Sequence, residues 1–100
     1  MIECDGKKYV LKYNMKRIEL IESVTGMPTM ADLKRTGGML GLVALKTYIA
    51  YAIKEEGEDI FQPAKKGMEL ADAIIRSNGY ADVCGMVIEA IERDCPFFFQ

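Results

Sequence analysis

The sequence contains no histidine and no tryptophan. Without histidine, the commonest general acid–base and metal-binding side chain is missing, and a cysteine nucleophile has no imidazole to activate it. Cysteine is sparse: Cys4, Cys84 and Cys95 lie far apart, with no C-x-x-C pair. An odd, scattered set makes neither a disulfide framework nor a zinc site, so free thiols are expected. A basic surplus is also missing, since 13 Lys and Arg face 15 Asp and Glu for a net charge of −2. A dedicated DNA-binding domain carries excess cations to neutralise phosphates, and no specific nucleic-acid partner is expected here. The most apolar stretch, Met39 to Ile53, is broken by Lys46 and falls short of the ~20 residues that span a bilayer. The opening "MIECDGKKY" lacks the apolar core of a secretory leader, so none is expected.

What remains is ordinary for a folded chain. Half of the 100 residues are apolar and 28% are charged, which implies one domain over residues 1–100 with a single core. Motifs that carry chemistry do not emerge. The acidic "KEEGED" (Lys54 to Asp59) lacks the alternating ligands and terminal Glu of a calcium loop and reads as a solvated connection. "GGMLG" (Gly37 to Gly41) is not followed by Lys-Ser/Thr and reads as helix punctuation, not a phosphate cradle. Cys84 falls on an apolar helical stripe, where a thiol is core filling. No cofactor and no metal is expected.

The pattern begins with "IECDGKKYVLKY". Asp5-Gly6 is a favoured hairpin turn, and Tyr9, Leu11 and Tyr13 alternate with Lys8 and Lys12 at period two. This predicts a β-hairpin over 1–13, which alone is marginal and needs helices to lie on. Asn14 then caps a helix whose apolar arc is Met15, Ile18, Leu20, Ile21 and Val24, stopped by Gly26. Arg17 falls inside that arc and must snorkel or find a carboxylate. Thr29-x-x-Asp32 reads as a capping box opening a short helix. "MLGLVALKTYIAYAIKEE" (Met39 to Glu56) is apolar almost all round and predicts a central core helix.

Pro63 suits the first turn of a further helix with a Met68, Ala71, Ile74 and Ile75 stripe, ended by Asn78-Gly79. The last helix repeats Tyr80, Val83, Cys84, Val87, Ile88, Ile91 and Cys95 at three- and four-residue steps. Pro96 forbids its continuation and leaves "PFFFQ" as a tail over 96–100. The fold class is therefore mainly α (α+β): an N-terminal β-hairpin over 1–13, then a compact bundle of about four to five helices over 14–95.

"DGKKYVLKYNMKRIELIESVTG" resembles the opening of the small tail assembly chaperones of long-tailed bacteriophages and prophages. The matching positions are Gly6, Lys7, Tyr9, Leu11, Tyr13, Asn14, Met15, Ile18, Ile21, Glu22, Thr25 and Gly26. The resemblance implies a non-enzymatic protein of the host bacterial cytoplasm, not retained in the mature virion. Its implied partners are the tape measure protein and the tail tube protein, with self-association and no membrane. It further implies a central apolar helix "GLVALKTYIAYAI" and apolar surface able to coat another helix. The residues it nominates for partner binding are Met39, Leu42, Tyr48, Tyr51 and the tail residues Phe97, Phe98 and Phe99. In many such phages a −1 ribosomal frameshift near the gene's end makes a longer product, and a slippery uridine run is what the codons of Phe97 to Phe99 would supply. Two alternatives stay open: a small phage structural or connector protein retained in the particle, and a helical DNA-binding regulator using Lys65-Lys66 or Lys34-Arg35 on phosphate.

Overall fold

Asp5 and Gly6 both take positive φ, 52° and 77°, as a two-residue hairpin turn with the twist of its flanking strands requires. The computed structural model describes residues 2–100. The turn joins β1 (Ile2–Cys4) to β2 (Lys7–Leu11) in register Ile2↔Tyr9 and Cys4↔Lys7. Tyr9, Leu11 and Tyr13 all point inward and are buried, as their period-two spacing predicts.

The Asn14 side chain accepts the Arg17 N–H at 2.9 Å and opens α1 (Met15–Thr25). Gly26, at φ 72°, closes it with its N–H on the Glu22 carbonyl. Ile18 and Ile21 are buried, whereas Met15 and Val24, at the ends of the predicted arc, are exposed. Arg17 finds an aromatic face and not a carboxylate: its guanidinium lies 3.9 Å from the centroid of Phe61. The start of α2 (Thr29–Thr36) departs from a capping box. The Thr29 N–H donates instead to the Glu22 carboxylate of α1 at 2.7 Å, so one helix caps the next.

The predicted long central helix is shorter than expected. α3 spans Leu42–Ala50, the chain turns at Tyr51 and Ala52, and Ile53–Glu55 form β3. β3 pairs antiparallel with β2 in register Leu11↔Ile53 and Tyr9↔Glu55, and the sheet order is β1-β2-β3. The hairpin therefore gains a third strand. The physical reason lies in β2, whose second edge would otherwise leave its backbone groups unpaired. Lys12 N–H extends the zipper by donating to the Ala52 carbonyl at 2.9 Å.

α3 is nevertheless central, packing against α1, α4 and α5. Leu45, Tyr48, Ile49 and Ala50 are buried along it. Thr47, also buried, donates its hydroxyl to the Val43 carbonyl at 2.8 Å. α4 (Ala64–Asn78) turns Gly67, Leu70, Ala71 and Ile74 inward, a face shifted from the expected stripe, with Met68 and Ile75 half-buried. The shift follows from Gly67, where the α4 backbone comes so close that a Cβ would stand 2.4 Å from the Ala50 carbonyl oxygen. Gly79 alone links α4 to α5 (Tyr80–Asp94), which buries Val83, Cys84, Val87, Ala90 and Ile91. Pro96–Phe99 then form one 3₁₀ turn. No helix among the described residues is long and apolar enough to cross a membrane.

Candidate functional site

The nominated residues separate into a buried set and two exposed sets. Tyr48 is fully buried and belongs to a chain of hydrogen bonds inside the core. Its hydroxyl donates to Thr29 Oγ1 at 2.9 Å, and its carbonyl accepts the Tyr13 hydroxyl at 2.9 Å. Burial, opposed by the Thr29 bond, raises the Tyr48 pKa, and burial pushes that of Tyr13 well up. Tyr48 is thus a structural residue that joins the β2–α1 connection, α2 and α3, and in this conformation no partner reaches it. Tyr51 is half-buried and packs on the core.

The tail is one of the exposed sets. Phe98 is half-buried against the core, while Phe97 and Phe99 stand 42% and 47% exposed. Phe98 meets both neighbouring rings, a tilted Phe97 with centroids 4.8 Å apart and an edge-on Phe99 at 6.4 Å. Immediately before the tail, Asp94 pins the end of α5 to the strand–helix junction. Its carboxylate accepts the Tyr13 N–H at 2.9 Å, Lys12 Nζ at 3.2 Å and Arg93 Nε at 2.8 Å. Arg93 also donates to the Leu11 carbonyl at 2.6 Å. Burial alone would raise the Asp94 pKa, but the bonds from Arg93, Tyr13 and Lys12 outweigh it and hold it at about 2.

The second exposed set lies at the opposite end of α1 and α3. Met39 and Leu42 are about half exposed, and Val43 is 79% exposed. Leu40 between them turns inward, and its carbonyl accepts the Tyr80 hydroxyl. Val43 helps to line a groove of about 240 Å³ with Val24, Thr25, Met27, Gly41 and Ala44, and Asp32 and Arg35 line it as well. The groove gathers the end of α1, Met27 just after Gly26, the α2 residues Asp32 and Arg35, and the first turn of α3. Asp32 is buried and held by Arg35 Nη2 at 2.9 Å, whereas the Arg35 side chain is 65% exposed. The groove is thus lined mainly by apolar residues, with one closed Asp32–Arg35 ion pair.

The nominated Met39 and Leu42 lie beside this groove without lining it, whereas Val24, Met27, Val43 and Ala44, which line it, are not among the nominated residues. The available signal was Val24 and Met27 flanking the Gly26 stop, two apolar residues just where a helix face runs out. A second, smaller cleft of about 180 Å³ lies between the sheet and α5, lined by Ile2, Leu11, Met86, Ala90, Glu89 and Arg93. Its Arg93 is already engaged with Leu11 and Asp94. Among the described residues, no group of three His, Cys, Asp or Glu side chains could hold a metal ion. No family model, curated protein or solved structure matches the chain.

Proposed function

We propose that this chain is a non-enzymatic tail assembly chaperone of a long-tailed bacteriophage or prophage. It binds the tape measure protein in the host cytoplasm while tail tube subunits assemble, and leaves before the virion matures. The resemblance of residues 5–26 motivates the reading. The observation that carries it is the apolar groove of Val24, Met27, Val43 and Ala44, beside the exposed Leu42 and Met39. Apolar side chains gathered in one concave place mark interaction surfaces, and a groove between helix ends suits a helical partner. Its volume is below the about 300–1,000 Å³ usual for small-molecule sites, which favours side chains of a partner as its occupants.

Co-expression with the tape measure protein from the neighbouring gene tests this. The expected result is co-purification of the two chains and a gain in soluble tape measure protein. Absence of any association would overturn the reading. Recovery of the chain from purified virions would replace it with a retained connector protein, and salt-sensitive DNA binding would replace it with a regulator.

A further inference from the structure

We infer that Arg17 and Lys54, gathered on the ring of Phe61, form a binding site for one oxyanion group, a carboxylate or a phosphate. The site lies on the outer face of the sheet and shares no residue with the groove of α1, α2 and α3. It stands whether or not the chaperone reading does.

The first observation behind it is an arginine without a carboxylate. Of the four arginines, Arg35, Arg76 and Arg93 each hold an aspartate within 2.9 Å. Arg17 is half-buried and has no ion-pair partner among the described residues. Burial pulls its pKa down, with no carboxylate to oppose the shift. Its guanidinium lies 3.9 Å from the Phe61 centroid. An aromatic face attracts the charge but supplies no oxygen for the N–H donors of a guanidinium.

The second is another cation on the same ring. Val10 faces Lys54 in the β2–β3 register, and Lys54 faces Phe61 across a further bridge. Tyr9 and Leu11, on either side of Val10, are buried, so this row of three points away from the core. Lys54 Nζ stands 5.9 Å from the Phe61 centroid and is also in no ion pair among the described residues. Two like charges at one ring repel each other, and an anion shared between them offsets that repulsion.

The third is the start of α1, whose first turn carries Lys16 and Arg17 and no acid, although the positive end of a helix favours negative charge. An anion on Arg17 supplies it. α4 also opens on lysines without an acid, Lys65 and Lys66, but no ring gathers them, which makes that pair the internal control. The surroundings limit the ligand to a compact group. Lys8 already faces Glu3 across the β1–β2 register, and Glu55, Glu56, Glu58 and Asp59 follow Lys54 in the chain. A nucleic-acid backbone laid over the sheet would meet these carboxylates. Its bases would find the Phe61 ring, the natural stacking platform, already engaged by Arg17.

Titration of the isotope-labelled chain with inorganic phosphate and, separately, with acetate tests the site, sodium chloride keeping the ionic strength constant. The Arg17 Nε–H signal and the Lys54 and Phe61 amides are expected to shift along one saturating curve, and the saturating anion should raise the thermal midpoint. Saturation by phosphate alone identifies a phosphate ligand, by acetate alone an acidic side chain, and by both the shared chemistry. Arg17→Gln should weaken binding about tenfold or more. Arg17→Lys, which keeps the charge and loses the planar fork, should weaken it about fivefold, and Lys54→Gln about threefold. If Arg17→Gln does not fold, the other two variants decide. Shifts no larger than chloride produces, shifts centred on Lys65 and Lys66, or binding that all three variants retain would mean an adventitious ion only and overturn the inference.

Discussion

The backbone N–H of Tyr13 donates to the carboxylate of Asp94 at 2.9 Å, joining residues 81 positions apart. This bond, with Arg93 reaching back to the Leu11 carbonyl, ties the C-terminal end of the last helix to the end of the hairpin. It closes the fold from both ends of the chain.

Removing that carboxylate should therefore destabilise the whole domain. The Asp94 pKa is held at about 2, against about 3.9 when unfolded, and each unit is worth 1.36 kcal/mol. Asp94→Asn is expected to cost about 2 kcal/mol at pH 7. The sign with pH follows from the depressed pKa. The stabilisation is complete above about pH 5 and is lost as pH falls from about 4 through 2. Urea unfolding at pH 7, 4 and 2.5 checks this: the gap between the original chain and the variant should narrow steadily and be smallest at the lowest pH. A gap that is constant with pH would rule out the ionised carboxylate as its source.

Gly67→Ala should reverse the usual helix ranking. At an exposed helical site Ala is better than Gly by about 1 kcal/mol. Here the new Cβ would stand 2.4 Å from the Ala50 carbonyl oxygen and 2.9 Å from its Cα, both backbone atoms that cannot swing aside. α4 would have to move off α3, at a cost of roughly 1–3 kcal/mol. Gly85→Ala is the control, since its Cβ meets nothing within 4 Å, and it should be neutral or stabilising. Thermal unfolding of the two variants should move in opposite directions.

Tyr48→Phe tests whether that residue is core or contact. It removes the hydrogen bond to Thr29 Oγ1 and is expected to cost about 1 kcal/mol. Capture of a partner at the surface should not change. A loss of binding without a loss of stability would return Tyr48 to the partner surface and contradict its complete burial.

The contrast between the hairpin and β3 explains how much of the fold the sequence disclosed. Asp5-Gly6, Asn14 and Gly26 act on their immediate neighbours, and each produced the turn, cap or stop its chemistry requires. Ile53 to Glu55 become a strand because β2, more than forty residues earlier, offers an edge; no local signal separates "AIKE" from the end of an apolar helix. Glu22 capping α2 is hidden for the same reason, as the bond crosses a turn. At the candidate site the difficulty is different. Val43 and Leu45 are equally apolar in a segment without periodicity, yet one is exposed and the other fully buried. Only the packing of α1, α4 and α5 decides which side of α3 is covered.

The Phe tail allows packing and contact roles to be separated residue by residue. Phe98 packs on the core, so Phe98→Ala should cost roughly 1–3 kcal/mol, short of the value for a fully buried ring. Phe97 and Phe99 remain nearly half exposed, and their alanine variants should stay within about 0.5 kcal/mol of the original chain. Denaturant melts of the three variants give this ranking directly. The same variants then speak to function: if the tail contacts a partner, Phe97→Ala and Phe99→Ala should weaken capture while leaving the melts unchanged. If all three variants melt alike and bind alike, the rings neither pack nor recognise anything. Their repetition would then trace to the codons that encode them and not to the folded chain.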